Sequence, residues 1–269
     1  MQRMKVHHLN CGVLQAPGGP AASCHCLLLE GEGRLALVDT GIGLADVARP
    51  LERVGQPAID AAGFQFHERL TAARQIERLG LRRQDVTDIV LTHGDPDHAG
   101  GLADFPNAAV HVSAEERAAL ESGNGRYSAA QFAHGPRWAV HAHSPQRWYG
   151  VEARSLPPLA GTEAFLIPLF GHTLGHCGVA LNDDGRWLLH VGDAYYLRIE
   201  LSTDDHPVSA LAALRADDEG MRRASLAALR RLECEHGAEV KMTGYHDFTE
   251  FPSGSDLGVD FGAVPAPAA

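Results

Sequence analysis

The chain has 269 residues, 45% hydrophobic and 21% charged, which excludes general disorder and predicts one domain over about residues 1–260. The formal net charge is -11, with 34 acidic against 23 basic residues and no Lys/Arg run. Nucleic acid is thereby excluded as an expected partner, because phosphate binding needs a basic face.

The N-terminus, Met1-Gln2-Arg3-Met4-Lys5-Val6-His7-His8, lacks the apolar segment of a secretory signal, and no later apolar stretch is long enough to span a bilayer. A cytoplasmic protein with no membrane partner is expected. Cys11, Cys24, Cys26, Cys177 and Cys234 are odd in number and are expected as free thiols. Cys24 and Cys26 flank His25, a pattern that suggests a metal but fits an alternating buried strand better.

Residues 24–30 (CHCLLLE) and 34–39 (RLALVD) are apolar runs joined by Gly31-Glu32-Gly33, which predicts a β-hairpin. A glycine-rich turn follows at residues 39–43. Helical spacing over 71–79 puts Ile76 and Leu79 on one face. Residues 88–92 (DIVLT) predict a buried strand ending at His93, followed by a loop over 94–101. Another strand is expected at 109–112, and a helix begins at 114–120. Residues 123–160 carry Pro136, Pro145, Pro157 and Pro158 among several aromatics, and predict an irregular insertion with short helices. Its stretch 127–150, with His134, His141 and His143, is either a lid over a substrate or a surface or homodimer contact. Strands are expected at 165–169, 178–182, 187–191 and 240–243, with helix over 209–232 in one or two pieces. Residues 261–269 predict a flexible Pro/Ala-rich tail. This order implies two mixed β-sheets packed face to face with helices outside.

Four strand ends carry metal-ligand residue types. The densest is Thr92-His93-Gly94-Asp95-Pro96-Asp97-His98-Ala99-Gly100-Gly101, a tight Gly/Pro loop able to turn several side chains toward one point. The others are Gly171-His172-Thr173-Leu174-Gly175-His176, Gly192-Asp193 and Gly244-Tyr245-His246. His nitrogen and carboxylate oxygen together suit divalent metals of the zinc type. A lone His or Asp at a strand end is usually a cap or turn residue, whereas four such ends in one chain point to a shared site.

These motifs, with Leu37-Val38-Asp39-Thr40-Gly41 ahead of them, resemble the metallo-β-lactamase superfamily: T-H-x-H-x-D-H-x-G-G, then G-H-T-x-G-H, G-D and a late His. The resemblance runs in order from Asp39 to His246. It implies an α/β fold, the four-layer αββα sandwich, and a site for two divalent metal ions, zinc by default. By that resemblance His93 and His172 hold the first ion, Asp97, His98 and His246 the second, and Asp193 bridges them. Asp39 supports the site by hydrogen bonds, and His176 is structural or supporting.

Asp95 stands where the family pattern has its second His. In one reading, which we prefer, Asp95 is itself a ligand and shifts metal preference toward Mn or Fe. In the other, the first subsite is weak or empty and Asp95 caps the loop. The chemistry implied is hydrolysis of a small-molecule substrate, an ester or lactone, by a metal-activated water that Asp97 helps to orient. Tyr196, three positions after Asp193, resembles a substrate-contacting tyrosine of quorum-quenching N-acyl homoserine lactonases; its bland alternative is a residue of the site wall. Glyoxalase II-like thioester hydrolysis, a mononuclear iron enzyme resembling persulfide dioxygenases, and a non-catalytic ligand-binding role are the alternatives.

Overall fold

The computed structural model describes residues 4–257. The tail expected at 261–269 lies outside them. Fourteen strands form two main sheets and a small hairpin among the described residues. The first sheet contains β1 (Lys5–Leu14), β2 (Ala22–Gly31), β3 (Arg34–Val38), β4 (Phe64–Gln65), β5 (Val86–Val90), β6 (Ala109–Ser113) and β7 (Arg137–His141). β8 (Arg147–Trp148) and β9 (Val151–Glu152) pair as the hairpin. The second sheet contains β10 (Arg154–Ser155), β11 (Ala164–Pro168), β12 (Cys177–Asp183), β13 (Arg186–His190) and β14 (Val240–Thr243).

The strand order is β4-β1-β2-β3-β5-β6-β7 in the first sheet and β10-β11-β12-β13-β14 in the second. The hairpin expected from the apolar runs is β2–β3, paired from Leu27↔Val38 to Gly31↔Arg34. From β3 onward the first sheet is parallel through β5, β6 and β7, and β13 pairs in parallel with β14. Parallel strands bring their C-terminal ends to one edge, where ligand-bearing loops of both sheets meet.

Alternation along β2 divides the core. Leu27 and Leu29 face inward and pack with Ala36, Val38 and Val90 against Leu166, Val179 and Leu181 of the second sheet. Cys26 and Leu28 face the other way, against Ala73 and Ile76 of the helix Ala72–Arg78. On the outer face of the second sheet, Phe165, Ile167 and Leu189 meet Leu226, Leu229 and Leu232 of the helix Glu219–His236. The result is the αββα sandwich that the motif order implied. His25 is buried and stacks on Phe251, with ring centroids 3.7 Å apart, so Cys24-His25-Cys26 lies on a buried strand.

Two sequence expectations change and one is resolved. Residues 123–160 are less irregular than their prolines suggested: β7 extends the first sheet and β10 edges the second. The loop expected over 94–101 contains a short helix, Pro96–Ala99, with proline in its first turn where no N–H is required. The helical region over 209–232 takes the two-piece form that the sequence allowed, Pro207–Arg215 and Glu219–His236, the second capped by Asp218, which accepts from Met221 N.

Candidate metal centre

Each sequence-predicted residue follows a strand that ends at the common edge. Asp39 follows β3, His93 follows β5, His172 follows β11, Asp193 follows β13 and His246 follows β14. Two turns need glycine. Gly192 has φ 54°, and a Cβ there would lie 2.6 Å from His176 Nε2. Gly171 has φ 126°, and a Cβ there would run into the backbone of Arg222. Both sharp turns therefore aim the next residue, Asp193 or His172, into the pocket.

The predicted ligands converge and are buried. Three overlapping groups have donor atoms within 4.8 Å of one another: His93, Asp95 and His172; His93, His98 and Asp193; and Asp97, His98 and His246. His98 Nε2 lies 3.2 Å from Asp193 Oδ1, and His246 Nε2 lies 3.1 Å from Asp193 Oδ2. His172 Nε2 is 3.4 Å from Asp193 Oδ2, which puts Asp193 between the two sides of the pocket.

The surrounding hydrogen bonds set which ring nitrogen faces inward. Asp39 accepts from Thr92 N (2.8 Å) and from Thr92 Oγ1 (2.7 Å), and its Oδ2 takes the His98 Nδ1–H (2.8 Å). That leaves the His98 Nε2 lone pair pointing inward. His246 likewise donates Nδ1–H to Ser23 O (2.8 Å). His176 commits both ring nitrogens to backbone: Nδ1–H donates to Leu169 O (2.8 Å), and Nε2 accepts from Asp193 N (2.9 Å). It positions Asp193 and has no nitrogen left for a metal. The ring of Tyr196 stands edge-on to His172 and His246, with centroids 5.7 Å and 5.2 Å away, so it forms part of the pocket wall.

Asp95 faces the pocket, with Oδ2 3.4 Å from His93 Nε2 and 3.3 Å from His172 Nε2. Its side chain makes no capping bond to the helix that follows, which removes the loop-cap role. Instead Arg126 grips it bidentately: Nε donates to Oδ1 at 2.6 Å and Nη2 to Oδ2 at 2.7 Å. Burial works to raise the Asp95 carboxyl, but the Arg126 guanidinium and His93 outweigh it and hold it well below the usual carboxylate range.

Four functional neighbours were missed from sequence. Arg126 is one. Glu116 is buried and accepts from Gly94 N (2.8 Å) and Thr173 Oγ1 (2.5 Å), tying together the loops that carry His93 and His172. Thr92 links Asp39 to this network. Tyr245 stacks on His98, with centroids 3.7 Å apart, and donates its hydroxyl to Asp97 O (2.6 Å). Only Thr92 and Tyr245 stood inside the quoted motifs.

A cation fits this pocket. Nε2 of His93, Nε2 of His98 and Oδ1 of Asp193 are buried with no hydrogen-bond partner among the described residues. Buried polar atoms left unpaired cost about 1–3 kcal/mol each, so three in one pocket imply a partner of another kind. Burial works against charge on His98, yet Asp193, Asp97 and Asp39 push its pKa well above the usual histidine value, which records how strongly the pocket attracts positive charge.

Comparison with known proteins agrees. Residues 19–235 match the family model described as the metallo-beta-lactamase superfamily. Probable metallo-hydrolases of Mycobacterium tuberculosis and Mycobacterium bovis are each 46% identical over 206 residues, 72% of this chain and 64% of the relative. The match thus spans less than two thirds of these curated relatives' length. Among solved structures, an N-acyl homoserine lactone hydrolase with the product N-hexanoyl-L-homoserine at its catalytic metal center superposes with TM-score 0.71 at 19% identity, covering 93% of this chain and 95% of that one. A probable metal-dependent hydrolase from Staphylococcus aureus gives TM-score 0.67 at 16% identity, with 92% and 91% covered. At these identities the likeness concerns the fold.

Proposed function

Because the chain belongs to the metallo-β-lactamase superfamily, we propose that it is a metal-dependent hydrolase of a small ester or lactone. The observation that carries this reading is the set of three unpartnered buried atoms, on His93, His98 and Asp193, facing one point. Asp97 and His246 stand beside them and complete a His/carboxylate donor set suited to zinc, or to manganese or iron as the carboxylate share rises. When bound there, a divalent ion supplies Lewis-acid polarisation of a carbonyl and acidifies water.

The chain's own groups do the rest. Asp39, through His98, and Ser23 O, through His246, fix the ring orientations. Asp97 lies at the inner wall, 3.6 Å from His98 Nε2 and 3.8 Å from His246 Nε2, where its carboxylate would orient a water held at these ligands. Tyr196, on the pocket wall, carries a phenol that is protonated at neutral pH and can donate to a carbonyl or leaving-group oxygen. The lactone class draws support from this tyrosine and from the lactone hydrolase among the fold relatives.

The test is hydrolysis of matched panels of acyl lactones, simple esters and thioesters by the purified protein, before and after chelation. Turnover of lactone or ester that chelator abolishes and metal restores is expected. No turnover by metal-loaded protein, or turnover indifferent to chelator, refutes the reading, and thioester turnover alone moves the substrate class. Tyr196→Phe with metal retained should lower lactone kcat by roughly 10- to 100-fold. An unchanged kcat would leave Tyr196 as wall.

A further inference from the structure

Arg126 reaches the pocket from the turn after the helix Ala114–Glu121, and its side chain is only 10% exposed. A guanidinium has five N–H groups, and all five have partners here. Nε and Nη2 bind the Asp95 carboxylate, and Nη2 also donates to His172 Nε2 at 2.7 Å. Nη1 donates to Arg215 O, at the end of the helix Pro207–Arg215, at 2.7 Å and to Asp217 Oδ1 at 3.2 Å. One backbone carbonyl, one imidazole and two carboxylates hold the guanidinium in place.

Its position has a chemical consequence. His172 Nε2 and Asp95 Oδ2 belong to the donor group of the first subsite, and Nη2 sits 2.7 Å from each. An imidazole nitrogen has one lone pair. His172 Nε2 can give it to Arg126 or to a metal, not to both. The unpartnered atoms report the same division. Of the atoms turned toward Asp95 and Asp193, His172 Nε2 and both Asp95 oxygens are satisfied, while His93 Nε2, His98 Nε2 and Asp193 Oδ1 are not; His172 Nδ1 is unpartnered as well. Those three form one donor group, in which His93 is shared with the first subsite while His98 and Asp193 adjoin Asp97 and His246.

Charge agrees. On the first side, the single negative charge of Asp95 is matched by Arg126, whose outer edge also meets Asp217. On the other side, Asp97 and Asp193 bring two negative charges with no Lys or Arg paired to either among the described residues. With Asp39 behind His98, the carboxylates that lack an arginine partner gather on that side.

We propose that Arg126 is a resident cation that takes the place of the first metal ion, so that the protein holds one divalent ion, at His93, His98, Asp193, Asp97 and His246. This rests on the metal-dependent reading of the pocket. It also accounts for Asp95: a carboxylate pairs bidentately with arginine, which the histidine of the family pattern does not do.

The test is metal stoichiometry, read apart from activity. Stripped protein is titrated with cobalt(II), followed by visible absorption, and zinc content is measured by elemental analysis. Wild type is expected to saturate at one equivalent, with any second binding weaker by on the order of 100-fold. Arg126→Gln should take up a second equivalent. Should that variant fold poorly, Asp95→His combined with Arg126→Gln removes the unpaired carboxylate and should also bind two. Two equivalents of comparable affinity in wild type overturn the proposal while leaving the metal-dependent reading intact. One equivalent in wild type and in both variants also overturns it, because Arg126 would then not be the cause. No binding by folded wild type or variants removes both readings.

Discussion

On one side of the pocket, Asp97, His98, Asp193 and His246 bring two carboxylates and two imidazoles together, and buried donor atoms there have no protein partner. On the other, Asp95 and His172 stand beside His93, which belongs to both sides, and Arg126 already neutralises the carboxylate. Residue types alone would assign both sides the same task. The difference lies in the second layer: Asp39 and Ser23 O turn His98 and His246 so that free lone pairs face inward, whereas Arg126 consumes the lone pair of His172. Ligand identity shows where a cation can go, and the partners of those ligands show where one is still needed.

The largest effect should come from removing the carboxylate that both sides share. Asp193→Asn keeps the shape but removes one of the two uncompensated charges. Elemental analysis should show metal lost, and kcat/KM on the best ester or lactone should fall on the order of 1000-fold, about 4 kcal/mol of transition-state stabilisation. Retention of both would erase the distinction between the two sides. Asp39→Asn acts one step further out. It leaves the ligands in place but weakens the grip on His98 Nδ1, and metal affinity by competition titration should fall by about 10- to 100-fold. Asn tolerates the positive φ that Asp39 adopts, 56°, so the loss should not come from backbone strain.

The ligand residues of both sides were legible in the sequence, and the arginine that meets two of them was not. Asp39, His93, Asp97, His98, His172, Asp193 and His246 each stand at a strand end beside small or turn-forming residues, so local pattern exposes them. β1 escaped because His7, His8 and Asn10 interrupt its apolar run, although the strand pairs with β2 from Lys5↔Glu30 onward. Arg126 escaped for a stronger reason. In Gly123-Asn124-Gly125-Arg126 it reads as a solvated turn residue, and only the folded chain brings it to Asp95, 31 positions away. Glu116 reads as a surface acid in the first turn of a helix, a place the helix dipole favours, yet it is buried between two site loops.

Glu116 gives a pH-dependent way to sharpen the comparison. It braces the loops of His93 and His172 through Gly94 N and Thr173 Oγ1. Burial pushes its carboxyl up to about 7, although the bonds from Thr173 and Gly94 oppose this. A raised folded-state pKa means that the contribution to stability is fully present below the ordinary value of 4.5 and is lost as pH rises through about 7. Glu116→Gln can keep the bond from Gly94 N, donate its amide to Thr173 Oγ1 in place of accepting from it, and has no charge to desolvate. Its stability relative to wild type should therefore improve by about 1–3 kcal/mol between pH 4.5 and pH 8 in denaturant melts. A difference independent of pH would show that Glu116 does not titrate in that window.

The smallest effect should come from Asp217. It meets only the outer edge of Arg126, at 3.2 Å, and is itself 21% exposed. The guanidinium keeps its inner bonds to Asp95 and His172 and its bond to Arg215 O when Asp217 is neutralised. Pairs this open to solvent contribute about 0–1 kcal/mol, so Asp217→Asn should change the affinity for a second cobalt equivalent by no more than about 5-fold. It should also leave binding of the first equivalent unchanged. A shift as large as that of Arg126→Gln would mean that Arg126 is held by its outer anchor, not by Asp95. The asymmetry between the two sides would then depend on the helix end at Arg215 and Asp217 and not on the residue that replaced the family histidine.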